Sequence, residues 1–286
     1  MDHVNLKEQG EVGASSSPRK AEQEITLWRR ITEFVNATRT IVDLEIRKLR
    51  HDPTELLTRA VQPALWLLVF GNVFAHLRGI RTGNLPYIDF MTPGILAQSV
   101  LFMAIFYGIA SIREKENGVI VKFLVSPAPR TALVLGKALS AGVRALSQAV
   151  IVYILAILLR VHLAHNPLNH LGVFVLVLMG AAFFSLFSLL IACVAKTQER
   201  FMGVGQLMTM PLFFASSALY PVSMMPRWLQ VVSHLNPLTY QVDALRALML
   251  AGGTSTYGLG LDFTVLLASS TAMVILAGKV YAGIVT

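Results

Sequence analysis

Three histidines, His162, His165 and His170, crowd the short polar stretch RVHLAHNPLNHLG. Their spacings of three and five could ligate a metal if the loop folded suitably, because imidazole is a common zinc ligand. The plainer reading is a solvated loop. Asp243 and Arg246, three apart, would share one face of a helix and pair there. Other chemistry is missing. There is no HExxH helix and no GxSxG elbow. A phosphate loop needs Gly, four residues and then Gly-Lys-Ser/Thr; beside Gly136 and Lys137 stand Thr131 and Ala138 instead. The single cysteine, Cys193, lies in an apolar run, which excludes an intramolecular disulfide and a cysteine-based metal site. It reads as a small buried hydrophobe. These residues predict no catalysis, no metal and no cofactor in this chain.

The elements that carry these residues are apolar. Of 286 residues, 55% are hydrophobic and 14% charged, well below the roughly 25% of a soluble domain. Mean hydropathy is +0.61. This is the composition of an all-α polytopic membrane protein. The net charge of +8 then reflects cytoplasmic loops and anionic headgroups, and nucleic acid is not expected as a partner. Residues 1–24 are polar, without the apolar core of a secretory signal, and read as a disordered cytoplasmic tail. Residues 25–52 repeat apolar positions at helical spacing (Leu27, Trp28, Ile31, Phe34, Val35) between basic ones, which predicts an amphipathic helix lying among cytoplasmic headgroups. A small soluble helix packed on a partner is the alternative.

Six segments within the remaining domain, 53–286, are long and apolar enough to span: 57–77, 89–112, 137–160, 171–195, 201–220 and 262–284. Pro63 and Pro93 fall inside the first two, which membrane helices tolerate. The stretch 222–251 holds Arg227, His234, Asn236, Gln241, Asp243 and Arg246, too polar to face lipid. It reads as two short helices, 226–234 and 238–250, broken at Asn236-Pro237, forming an outer re-entrant or interfacial hairpin. With both termini cytoplasmic, 19 of the 24 Lys and Arg lie on the inner side; Arg78, Arg81, Arg160, Arg227 and Arg246 do not. Counting 222–251 as a span would put the C-terminus outside.

Ion-driven carriers place Asp, Glu or His inside the membrane. Here Asp89 and Asp262 stand only at outer span ends, while Arg59 and Arg144 can snorkel to the cytoplasmic surface. Between the second and third spans, loop 113–136 begins with the alternating charges Arg113, Glu114, Lys115 and Glu116. Gly118 and an apolar stretch of about two turns follow, with Val121, Phe123 and Leu124. The prolines of Ser126-Pro127-Ala128-Pro129 stop it. An exposed apolar helix between charged flanks is a protein interface or a headgroup-lying element, and an ordinary loop of accidental composition is the plain alternative.

The pattern from Arg113 to Lys137, with Glu116, Gly118, Ser126, Pro127, Arg130 and Gly136, resembles the cytoplasmic loop of ABC-2 type exporter permeases, whose usual form is Glu-x-Gly, a short apolar helix and a Ser-Pro-x-x-Arg turn leading to Gly-Lys. The family often has Thr where this chain has Val119. Tyr220-Pro221 and the stretch Asn236, Pro237, Tyr240, Asp243 and Arg246 are similar to the family's outer hairpin before the last span. The likeness covers roughly residues 25–286 and is nearest to antibiotic-resistance and lipo-oligosaccharide export permeases.

The resemblance implies a coupling helix that docks on a separate ATPase subunit, present in two copies and binding ATP and Mg. Arg113, Glu114, Lys115, Glu116, Gly118, Val121, Phe123, Leu124, Ser126, Pro127 and Arg130 would form that contact, and the hairpin would close the outer end of the pathway. It further implies a second permease, as homodimer or heterodimer, in the plasma (inner) membrane. The cargo would be a hydrophobic small molecule, drug, lipid or glycan moved outward. An ion-coupled carrier and a non-transporting structural membrane protein are the alternatives. Phe102, Phe106, Tyr107, Phe183, Phe184, Phe187, Phe213 and Phe214 suit an apolar cargo, or simply face lipid.

Overall fold

A computed structural model describes residues 47, 53–76, 82–83, 85–116, 130–195 and 197–283. Apart from Arg47, the tail at 1–24 and the amphipathic helix expected over 25–52 lie outside these residues. The described chain is helical: α1 (Pro53–Leu65), a π-helical turn (Trp66–Phe70), α2 (Gly71–His76), α3 (Tyr87–Glu116), α4 (Arg130–Leu158), α5 (Pro167–Val194), α6 (Gln198–Phe214), a 3-10 turn (Val222–Met224), α7 (Arg227–Leu235), α8 (Pro237–Met249) and α9 (Leu259–Gly283). An isolated antiparallel bridge, Leu163 to Leu250, is the sole β pairing among the described residues. The fold is therefore the all-α polytopic one that the composition predicts.

Six spans are expected from the sequence, and four helices meet the length and hydropathy of a span unaided: α3, α4, α5 and α9. The other two expected spans differ for physical reasons. α6 has 17 residues, about 26 Å of rise against a hydrocarbon core of about 30 Å. The rod from Pro53 to His76 is interrupted at its π turn, where the Gly71 N–H donates to Trp66 O across five residues. Such a turn inserts one extra residue into an α-helix.

Prolines set further local features. Pro63 has no N–H to give the Arg59 carbonyl four residues back. The side chain of Gln148, from α4, supplies the missing donor: its Nε2 lies 3.2 Å from Arg59 O. α4 ends with Arg160 in the left-handed region (φ 58°). There Val161 N–H donates to Ala156 O and Arg160 N–H to Ile157 O, the pairing of a Schellman motif with arginine where glycine is usual. α5 begins cleanly because Asn166 accepts from Leu168 N–H at 3.0 Å and Pro167 occupies the first helical position.

Packing is centred on α3 and α5. α5 contacts α3, α4, α8 and α9, and α3 also contacts α6 and α8. The spanning window of α3 is 94% buried and that of α9 only 11%, so α3 is the inner post and α9 the periphery. Helix association in lipid relies on close packing and interhelical hydrogen bonds. Ser188 Oγ accordingly donates to Ile105 O at 2.7 Å, across the α3–α5 contact at Gly108. The aromatic set divides. Phe183, Phe184 and Phe213 are core residues, which corrects both sequence readings for them, whereas Phe106 and Phe214 are exposed. Within the spanning windows, the described carboxylates are Asp89 and Asp262, both in first turns and both buried.

Candidate functional site: a buried polar cluster at the helical hairpin

The chain between α6 and α9 builds the densest polar network among the described residues. Its hinge is Asn236. Pro237 opens α8, Asn236 Oδ1 accepts from Leu238 N–H at 3.0 Å, and Nδ2 donates to Leu212 O at 2.6 Å. One amide thus caps α8 and satisfies a carbonyl in the last turn of α6, where intrahelical donors run out. Tyr240 Oη donates to His234 O at 2.8 Å and straps α8 to α7. Replacing Asn236 with alanine is expected to cost about 2–3 kcal/mol, the sum of a lost cap and an orphaned carbonyl. Asn236→Ser, which keeps a cap acceptor and loses the donor to Leu212 O, should fall between wild type and Asn236→Ala in thermal unfolding of the detergent-solubilised protein.

The two hairpin helices face different surroundings. α7 exposes Trp228, Val231 and Leu235, an apolar stripe suited to the membrane interface. α8 buries Leu238, Val242, Leu245 and Met249 completely. Gln241 on the same helix is also fully buried, with Nε2 3.4 Å from Leu176 O. It fits because Gly180 of α5 leaves the space: a Cβ there would approach Gln241 Nε2 to 2.1 Å.

Asp243 is the hub. Its carboxylate accepts from Thr256 N–H at 2.6 Å, Thr256 Oγ1 at 2.9 Å, Tyr257 N–H at 3.1 Å and Ser255 Oγ at 3.1 Å. Ser255 Oγ also lies 2.8 Å from Asp262 Oδ2, so one hydroxyl sits between the hairpin and the first turn of α9. Asp243 and Arg246 do meet on one helix face, but at 3.8 Å. The shorter contacts of Arg246 go elsewhere: Nη2 donates to Ser217 O at 2.7 Å, and the guanidinium stacks 3.8 Å above the Phe90 ring. Burial, and then the Asp243 charge, push the Tyr257 phenol above its ordinary range, so it stays a protonated donor at neutral pH.

A cavity of about 320 Å³ opens against this cluster, bordered by Phe90, Ser217, Pro221, Asp243, Arg246 and Tyr257 among others. Tyr220, beside Pro221, donates to Phe214 O at 2.7 Å and so ties the 215–220 segment to the end of α6. The histidines stand near the same end with separate partners. His162 Nδ1 lies 2.8 Å from Asp89 Oδ2, while His170 meets the Tyr153 hydroxyl at 3.1 Å. No group of three His, Cys, Asp or Glu among the described residues is arranged to hold a metal ion. A second cavity, about 290 Å³, lies between α1, α3 and α4, with Arg59, Gln62, Ser99, Phe102, Phe106 and Gln148 in its wall.

The charged run divides at the limit of the described residues. Arg113, Glu114, Lys115 and Glu116 form the last turn of α3, and Arg130 opens α4. Gly118, Val121, Phe123, Leu124, Ser126 and Pro127 lie outside.

Residues 36–250 match the model of the ABC-2 type transporter family. The chain belongs to that family. Curated relatives agree. The chain is 30% identical to the ycf38 transport permease of Cyanophora paradoxa over 75% of its own length and 74% of the relative's. It is 27% identical to the daunorubicin resistance ABC transporter permease protein DrrB1 of Streptomyces coeruleorubidus, over 75% of each chain. Against the inner membrane transport permease YadH of Escherichia coli K12 the identity is 26% over 65% of this chain and 73% of the relative. The protein is thus a membrane-spanning ABC-2 permease. Sequence reasoning missed Ser217, Phe90 and the Ser255–Tyr257 loop as parts of the polar cluster. The paired Gly252 and Gly253 signal a turn there, but nothing in the spacing names Asp243 as the loop's partner.

Proposed function

We propose that this permease is the membrane half of an exporter driven by a separate ATPase. The observation that carries the reading is the family match over 36–250, which contains the complete charged and proline-terminated loop 113–136. The chain carries no phosphate loop, so ATP and Mg would be bound by two ATPase subunits below the membrane. Glu114, Lys115 and Glu116 would meet that subunit by charge, and Val121, Phe123 and Leu124 by burial. The rod Pro53–His76 and α6 complete six spans, with both termini cytoplasmic in the inner (plasma) membrane and the hairpin closing the outer end. Two permeases would enclose the pathway. A hydrophobic small molecule, drug, lipid or glycan is the cargo; the role of one relative in daunorubicin resistance supports the drug class.

The test is a tagged pull-down from gently solubilised native membranes, read by mass spectrometry. Wild type should bring down an ATPase that carries a phosphate loop. Phe123→Asp and Glu116→Lys should lose at least about tenfold of it, because each puts a wrong charge into a docked surface, while their membrane level stays normal. If no ATPase accompanies even the wild type, the exporter reading fails and an ion-coupled carrier or a structural protein takes its place.

A further inference from the structure

Two buried acids meet one hydroxyl where the hairpin joins α9. Ser255 Oγ stands 3.1 Å from Asp243 Oδ2 and 2.8 Å from Asp262 Oδ2, and it accepts from Gly258 N–H at 2.7 Å. A hydroxyl has a single hydrogen to donate and two lone pairs to offer. With both acids ionised, one of the two oxygen–oxygen contacts holds no hydrogen, and two negative charges press on one side chain. A proton on one acid completes the set. That acid donates to Ser255, Ser255 donates to the other, and Gly258 N–H takes the second lone pair.

The surroundings decide which acid carries it. Asp243 also accepts from Thr256 N–H, Tyr257 N–H and Thr256 Oγ1, and lies 3.8 Å from Arg246, so its charge is well supported. Asp262 has none of this. It is 0% exposed, its Oδ2 meets only Ser255, and its Oδ1 has no hydrogen-bond partner. The titratable groups that face it are Asp243 from α8 and Tyr257 from the loop, neither of them a cation. From α5 comes His170 at that end, held by the Tyr153 hydroxyl of α4. The first turn of α9 favours a negative charge, but burying an unpaired carboxylate beside a second one costs more. We infer that the Asp243–Asp262 pair holds one proton, carried by Asp262, and that this proton fastens the 255–258 loop across α8 and α9. Ser255 is half-buried between exposed Thr254 and Thr256, so its hydroxyl stands between the acid and the medium. Raising the pH removes the proton, sets two charges against one hydroxyl and loosens the loop.

The test uses the purified permease in nanodiscs without any ATPase, so its result is independent of the exporter reading. Asp262→Asn imitates the protonated acid, because an amide can donate to Ser255 at every pH. The two proteins should unfold at the same temperature at about pH 5, and wild type at least about 3 °C below Asp262→Asn at about pH 9. At about pH 9 chymotrypsin should also cut after Tyr257 at least about threefold faster in wild type, as the loop opens more often. The infrared band of a protonated buried carboxyl should appear in wild type on acidification and be missing from Asp262→Asn. Equal behaviour of the two proteins at both pH values, or Asp262→Asn less stable at both, overturns the assignment. So does stabilisation of wild type at high pH by added CaCl2 that Asp262→Asn does not share, since a metal ion would then be the ligand of the pair.

Discussion

Replacing Asp243 by alanine is expected to lower the stability of the folded permease by about 3–5 kcal/mol, the usual cost of stripping one partner from a buried, hydrogen-bonded charge. The effect has two parts. Thr256 N–H, Tyr257 N–H and two hydroxyls lose their acceptor, and the loop at 255–257 is released from α8. Arg246, 6% exposed, is left without its counter-charge. The parts can be separated. Arg246→Met alone removes the tie to Ser217 O and the stack on Phe90. Combined with Asp243→Ala it also removes the stranded cation, so the double variant should lose less than the sum of the two single ones. Thermal unfolding of all four proteins in one detergent measures this coupling. Strict additivity would mean that the Asp243–Arg246 contact contributes nothing and that the loop bonds carry the whole effect.

A comparable loss is expected from a residue with no polar chemistry at all. Gly94 of α3 presses against the backbone at Ala218: an added Cβ would lie 2.4 Å from Ala218 O and 2.7 Å from its Cα. Backbone held on both sides cannot give way as a side chain can. Gly94→Leu should therefore displace the 215–220 segment, draw Ser217 O from Arg246 and destabilise by about 3 kcal/mol or more. Gly94→Ala should show a smaller loss of the same kind. Gly203 of α6 supplies the control, because nothing lies within 4 Å of its missing Cβ. Gly203→Ala should be neutral or stabilise by about 0.5–1 kcal/mol through the helix backbone alone. Protease resistance of the 215–220 segment in membranes reads the displacement directly.

The sequence made some of this architecture legible for reasons that are local. Apolar runs, Pro237 after Asn236 and the charge content of 222–251 depend only on neighbours along the chain, and the helix break falls at Asn236. Asp243 and Arg246 could be paired because helical spacing sets their distance. What stayed hidden depends on tertiary approach. The four donors to Asp243 come from a loop beyond the end of its own helix, and Ser217 reaches Arg246 from before the hairpin. The π turn at Trp66–Phe70 has no compositional mark. Phenylalanine is equally at home in a core, a lipid face or a pathway, so hydrophobicity alone could not sort Phe184 from Phe214.

The bond from Gln148 to the Arg59 carbonyl ties two distant codons together. Pro63 brings no N–H to that carbonyl, and Gln148, whose own Oε1 has no partner, donates to it from α4. Any residue other than proline at 63 would bring back an N–H that competes with the amide for this carbonyl, and Gln148 would then be freed toward the cavity it borders with Gln62 and Ser99. Substitution at 148 with proline retained would remove that side-chain donor instead. Each change alone is a step down and both together are nearly level, so the two positions are free to drift only as a pair. Among relatives, proline at the first site should travel with a side-chain donor at the second.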